Sequence, residues 1–203
     1  MTPPDWLYKR TRLLDLFHFL RIVEGHSQMV ASERDALSKY AKNKARALEI
    51  GSYMGVSANI IAKSLSRDGM LYCIDPFPDR KGKKNPGLSI MERQLIRSGV
   101  LSKVKVIQAF STDSSILPQI PNQLDFIFVD GDHRYEGLQS DWAIVQKKLA
   151  KDGIVCLHDT IVPANEPTRV FGSVKFFQDV IKNDSNFELL EECYSMNILK
   201  RLT

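Results

Sequence analysis

The sequence predicts a doubly wound α/β fold, a mostly parallel sheet with helices on both faces, behind an N-terminal helical cap. Three observations carry this. Five short runs, at 47–50, 71–74, 104–107, 124–129 and 154–157, are apolar and continuous rather than alternating, as strands covered on both faces are. Helix-patterned stretches separate them, and right-handed crossovers then lay the strands parallel. A glycine-bearing turn, Gly51-Ser52-Tyr53-Met54-Gly55, leaves the first run and feeds a helix. In an open sheet of this kind, ligands bind beyond the carboxyl ends of the strands, where the strand order reverses.

The elements follow in order. Residues 6–23 carry a helical pattern with Leu13, Leu16, Phe17 and Leu20 on one face, at the 3.6-residue period. A second helix is expected near Ser32, whose hydroxyl can cap the first turn, with Ala36, Leu37 and Tyr40 as its apolar side. These two form the cap, residues 1–44, part of the same domain as the main fold at 45–203. Further helices are expected at 58–65, 88–98 (stopped by Gly99), 135–149 and 173–182. Two β-prone runs at 187–190 and 196–199 lie close enough to pair as an antiparallel hairpin. The stretch 76–87 (PFPDRKGKKNPG) reads as a loop.

Composition excludes several classes. The chain has 203 residues, 43% hydrophobic and 26% charged, which suits one globular domain and neither disorder nor a disulfide-stapled miniature. No apolar run is long enough to span a bilayer, and MTPPDWLYKRTR does not read as a signal peptide. Cys73, Cys156 and Cys193 are odd in number and lie in β-prone stretches. Buried free thiols in a reducing compartment, the cytoplasm, are the expectation. A net charge of +4 is less than a dedicated nucleic-acid binder usually carries.

The glycine turn departs from the dinucleotide pattern G-x-G-x-x-G, because bulky Tyr53 stands where a pyrophosphate would need open backbone. Glu49, ahead of Gly51, would repel a pyrophosphate but could accept from an ammonium group. Asp75 ends the second strand, twenty-four positions after Gly51, placed for ribose hydroxyls. A ligand with an amino acid at one end and a nucleoside at the other fits, and S-adenosylmethionine is such a ligand. The alternative is a turn chosen for chain geometry alone.

The fourth run leads into Asp130-Gly131-Asp132-His133-Arg134 and the fifth into His158-Asp159. As neighbouring strands about 4.8 Å apart, these would bring Asp130, Asp132, His133, His158 and Asp159 to one rim facing the cleft. Carboxylates there are costly to desolvate unless paired or bound to a cation. Asp130 and Asp159 could hold a hard cation that orients a substrate hydroxyl. His133 could instead take the proton directly, imidazole being suited to proton transfer near neutrality. Asp132 could merely cap the next helix, Asp141 reads as structural or solvent-facing, and His18 and His26 read as surface or packing residues of the cap.

LEIGSYMGVSA, YCIDPF, DFIFVDGDHRYEGLQSDW and GIVCLHD, in this order, resemble the class I S-adenosylmethionine-dependent methyltransferases. More narrowly they resemble a bacterial subgroup with an IDGDHxYE…HD signature, similar in layout to metal-dependent catechol-type and antibiotic-sugar O-methyltransferases. The resemblance covers about residues 45–160. It implies a Rossmann-like seven-stranded sheet with a reversed last strand. It places Glu49, Gly51, Ser52 and Gly55 at the methionine end, Asp75 on ribose, Phe77 beside adenine and Ser111, within 109–113, at the adenine edge. It implies Asp130 and Asp159 as magnesium ligands, Asp130 thereby lying at the cofactor and catalytic site as well, and His133 as general base. His158 departs from the pattern, standing where the relatives carry Asp. Histidine is a poor magnesium ligand, so a metal here, if present, shifts toward manganese or iron.

The resemblance thus implies methyl transfer from S-adenosylmethionine, most simply to a small-molecule hydroxyl (sugar, phenol or natural-product intermediate), with or without a divalent cation. The N-terminal helices offer a face for a homodimer. Two rivals stand beside this reading. One is a nicotinamide-dependent oxidoreductase on a similar architecture. The other is a nucleic-acid-binding or RNA-methylating module using Arg80, Lys81, Lys83 and Lys84.

Overall fold

The computed structural model describes residues 11–22, 25–78 and 85–203. Seven strands form one sheet: β1 (Arg46–Ile50), β2 (Met70–Ile74), β3 (Val104–Ile107), β4 (Leu124–Val129), β5 (Leu149–Leu157), β6 (Phe187–Cys193) and β7 (Met196–Arg201). Their order is β3-β2-β1-β4-β5-β7-β6. β1 to β5 pair in parallel, and β7 runs antiparallel between β5 and β6. The reversed strand and the terminal hairpin are therefore as the sequence predicts. The chain leaves β1 on the β2 side and returns to its other side at β4. The crevice between the tips of β1 and β4 is thus the reversal point at which ligands bind.

The helices are α1 (Thr11–Phe19), α2 (Ala31–Ala41), α3 (Val56–Ser64), α4 (Pro86–Arg97), α5 (Tyr135–Lys148) and α6 (Gly172–Asp179). Alternate residues of the apolar strands point to opposite faces, so the continuous runs split into two cores. Ala47, Leu71, Phe126 and Phe128 pack beneath α2, α3 and α4. Leu48, Ile74, Ile127 and Val155 pack beneath α5 and α6. Cys73 and Cys156 are buried free thiols, and Cys193 is half-buried and free. No helix among the described residues is long and apolar enough to cross a membrane.

Three local expectations change. α2 is not capped by Ser32; the Glu33 carboxylate reaches back and accepts the Val30 N–H at 3.0 Å, serving the same orphan donors from inside the first turn. β5 begins at Leu149 rather than at 154. The Lys148 ammonium is anchored by the carbonyls of Leu117 and Ile120 and by Asn122 Oδ1 at 2.8–3.0 Å. That anchor ends α5, and Leu149 then pairs with Leu124. On α1, Leu13 and Phe17 pack against Met54 and Ile90, whereas Leu16 and Leu20 are exposed. Arg97 fastens the end of α1 to α4 by donating to the His18 and Phe19 carbonyls at 3.0 and 3.2 Å. The first helix ends at Phe19, with 20–22 in a turn; residues 6–10 and 23 of the expected helix, and the loop cations Arg80, Lys81, Lys83 and Lys84, lie outside the described residues.

Candidate active site

The backbone ladder continues past the strand ends and fixes the rim. Gly51 N–H donates to the Ile74 carbonyl at 2.9 Å, Asp130 N–H to Ile50 at 2.8 Å and His158 N–H to Val129 at 3.0 Å. Gly51 has φ +88°, and a Cβ there would stand 2.0 Å from the Asp130 carbonyl oxygen. The first glycine is thus required by the crossing of the β1 and β4 tips, and the turn serves chain geometry as well as any ligand.

Asp75 organises that turn. Its Oδ2 accepts the backbone N–H of Ser52 at 3.0 Å and of Tyr53 at 2.8 Å, while Oδ1 accepts from Phe77 at 2.9 Å. A carboxylate offers about four acceptor directions, so the group assigned to ribose also holds the turn. Glu49 lies fully buried beneath it. Ser52 donates to Glu49 Oε2 at 2.6 Å and the Cys73 thiol at 3.3 Å, while Oε1 has no partner. Burial pushes this carboxyl up to about 7, against the hydrogen bonds from Ser52, Ser57 and Cys73.

A cavity of about 600 Å³ opens at this rim, within the range of roughly 300–1,000 Å³ usual for small-molecule sites. Gly51, Ser52, Asp75, Ser111, Asp130 and His133 line it. Other candidates lie elsewhere. Gly55 begins α3 in a left-handed conformation, its Cα against Met91. Phe77 is 3% exposed and packs in the α2–α4 core; the wall beside Asp75 is Pro76, with Phe110 on the loop after β3. His158 and Asp159 are buried beneath the rim. His26, assigned to surface or packing, lines the cavity with Ser27 and Gln28, its ring edge-on to Tyr53 at 6.2 Å. An irregular segment without periodicity gave no signal for this. Asp141 is buried, its Oδ2 directly behind Gly131.

Beneath the rim lies an ion-pair network, and three of its members were not singled out in the sequence: Glu33, Glu166 and Arg169. His158 Nδ1 is 2.9 Å from Asp130 Oδ1, and its Nε2 is 3.4 Å from Glu33 Oε2. Arg169 Nη2 is 2.7 Å from Asp159 Oδ1, and its Nη1 is 3.1 Å from Glu166. Burial alone would strip the proton from His158, but Asp130, Glu33 and Asp159 outweigh it and push the group up to about 10. Burial likewise opposes the charge on Glu33, yet His158, Ser195 and the Val30 amide hold it below the usual carboxylate range. His133 stands above the network, Nε2 at 3.6 Å from Asp159 Oδ2 and 3.9 Å from Asp130 Oδ1. Its ring lies against Phe171 at 5.1 Å.

This donor set does not fit the divalent cation that the resemblance implies. A hard cation takes six or more oxygens with lone pairs to give. Asp159 Oδ1 is already engaged by the Arg169 guanidinium, which has no lone pair to give, and Asp130 Oδ1 is turned onto the buried His158 ring. Among the described residues no group of His, Cys, Asp and Glu is arranged to hold a metal. The assignment of Asp130, His158 and Asp159 as ligands is corrected accordingly.

A family model described as a methyltransferase domain matches residues 48–160. That span runs from the glycine turn through Asp75 to the acidic rim. The chain belongs to this methyltransferase family. Residues 48–160 are thus a methyltransferase domain, on the seven-stranded sheet of the class I fold. Solved structures share the fold over nearly the whole chain. An O-methyltransferase from Bacillus cereus in complex with SAH is 16% identical, with TM-score 0.65, covering 99% of this chain and 92% of that one. TomG of Streptomyces achromogenes, an O-methyltransferase involved in tomaymycin synthesis in complex with SAM, is 16% identical with TM-score 0.64, covering 100% and 92%. A Corynebacterium glutamicum protein is 15% identical with TM-score 0.68, covering 100% and 93%. At such identities the likeness is one of fold. The uncharacterized protein R132 of Acanthamoeba polyphaga mimivirus is 25% identical over 124 residues, 59% of this chain. The match spans about half of that relative's length, 53%.

Proposed function

We propose that this methyltransferase acts on a hydroxyl oxygen of a small molecule, with His133 as general base. The observation that carries the reading is one cavity shared by the Gly51–Ser52 turn, Asp75 and His133. The residues present fit the cofactor. Asp75 and Ser111 line the cavity, which supports ribose and adenine roles for them, and Glu49, buried beneath the turn with Oε1 unpartnered, is the proposed acceptor for the ammonium group. Residues 45–203 form the cofactor-binding fold, and the cap before them contributes His26 to the cavity wall.

S-adenosylmethionine, when bound, supplies a methyl group on a sulfonium, open to in-line displacement by an oxygen lone pair. The protein must hold that oxygen at near-attack distance and take its proton. His133 accepts the proton, and Asp159 and Asp130 lie where they meet the imidazolium charge that results. Neither step needs a metal. Phe110, Tyr53 and His26 give the cavity aromatic walls, which suit a planar acceptor such as a phenol.

The test is an acceptor screen across phenols, sugars and amines, read as S-adenosylhomocysteine formed, with His133→Ala alongside. The expected result is turnover with a hydroxyl acceptor, and a kcat lowered by about 10²–10⁴-fold in the variant with cofactor affinity kept. Methylation at nitrogen or carbon, or an unaffected His133→Ala, contradicts the reading. Pairing of two copies through the N-terminal helices is supported by the exposure of Leu16, Phe19, Leu20 and Ile22. Sedimentation at rising concentration shows a dimer if that face pairs and a monomer if it does not.

A further inference from the structure

The acidic rim contains its own cations. Asp130 in the cavity wall and Glu33 and Asp159 buried beneath it converge, and buried carboxylates are costly unless paired. Their partners are His158, which follows β5, and Arg169, on the segment before α6. Arg169 is charged at every accessible pH, and only 17% of its side chain is exposed. The His158 side chain is 2% exposed, one nitrogen toward Asp130 and the other toward Glu33.

Both side chains are held in place. Asp159 sits at φ +53°, its carbonyl accepting the Ser173 hydroxyl at 2.6 Å. Arg169 is steadied by Glu166 at 3.1 Å, which in turn accepts from the Tyr194 hydroxyl at 2.5 Å. The guanidinium also lies over the Phe171 ring at 5.7 Å, the ring that backs His133. Glu33 is fixed from its far side by the Ser195 hydroxyl and amide at 2.6 and 3.1 Å. A divalent ion entering between Asp130 and Asp159 would stand against the largely buried Arg169 guanidinium, 2.7 Å from Asp159 Oδ1. Displacing it would leave that arginine unpaired, which is strongly unfavourable.

We propose that the Arg169 guanidinium, with the His158 ring beside it, occupies the place a divalent cation would take between Asp130 and Asp159, so that this rim rejects divalent ions and works without them. The inference rests on the methyltransferase reading for its functional meaning, but its test does not. Mn²⁺ is titrated into the purified full chain and followed by electron paramagnetic resonance of the free ion. Calorimetry with S-adenosylhomocysteine runs in parallel, with EDTA and with millimolar Mn²⁺.

The expected result is no uptake of Mn²⁺ by the wild type and the same cofactor affinity, within twofold, in both solutions. The variant His158→Asp with Arg169→Gln, shown to be folded by circular dichroism, gains saturable Mn²⁺ binding. Arg169→Gln alone serves if the double variant does not fold, and it too must gain Mn²⁺ binding. Saturable uptake by the wild type that Asp159→Asn abolishes would overturn the proposal, as would a folded variant that still ignores the ion. Failure of the methyltransferase reading shows separately, as absent cofactor heat in either solution.

Discussion

Glu49 and Asp141 are carboxyls that burial has taken far from their ordinary range, one pushed up to about 7 and the other to about 6. For Asp141, burial dominates, the Ser111 hydroxyl pulls the other way and the charge of Asp132 adds to the rise. In both the folded state holds its proton more tightly than the unfolded chain. Their stabilising contribution is therefore complete below the ordinary carboxylate range and is lost as pH rises through about 6 for Asp141 and about 7 for Glu49. Each shift corresponds to about 3 kcal/mol. Glu49→Gln and Asp141→Asn should both raise the melting temperature of the ligand-free protein at pH 8, with the gain fading toward pH 4. Cofactor affinity separates them. Glu49→Gln removes an ionised acceptor for the cofactor's ammonium group and should weaken binding about ten- to hundredfold, whereas Asp141→Asn should leave it nearly unchanged. Equal effects on affinity would mean that Glu49 serves only the turn. Glu49 was legible from its place before Gly51; Asp141 was not, because polar residues on a helix look alike until the packing shows which one faces inward.

At the scale of the element, the turn between β1 and α3 is the most constrained piece of the chain. Its first glycine is crossed by the backbone of Asp130, its middle is tied to Asp75, and Tyr53 takes φ +46°. Gly51→Ala should cost on the order of 3–5 kcal/mol, the range of severe backbone and packing insults, and abolish cofactor binding in whatever fraction folds. A variant with wild-type denaturation midpoint would show that the rim can part without loss. The sequence placed this turn, because glycine spacing after an apolar strand is a local signal. It misplaced the start of β5, which follows from the distant anchoring of Lys148 on three groups between 117 and 122. It also gave no sign of residues 26–28 in the cavity wall. Nor did it mark Arg169, ten residues after Asp159 on an irregular segment, as that carboxylate's partner. A contact set by the path of a loop leaves no periodic pattern in either partner's neighbourhood.

For the whole molecule, the order β3-β2-β1-β4-β5-β7-β6 decides where chemistry can occur. It puts the reversal point between β1 and β4 and brings the DGDH segment and the end of β5 to its edge. That much followed from the succession of apolar runs and from the hairpin at the end of the chain. What the sheet could not disclose was the state of the acidic rim, because two neighbouring carboxylates read equally as metal ligands or as partners of unseen cations. The central claim is that this rim binds S-adenosylmethionine through Asp75. Calorimetric titration of the purified chain tests it, with Asp75→Asn, which keeps one oxygen for the turn amides, and Asp75→Ala alongside. The account predicts saturable one-to-one binding in the wild type, weaker in Asp75→Asn and lost in Asp75→Ala. A folded wild type that gives no heat of binding, or equal affinity in all three proteins, would contradict it.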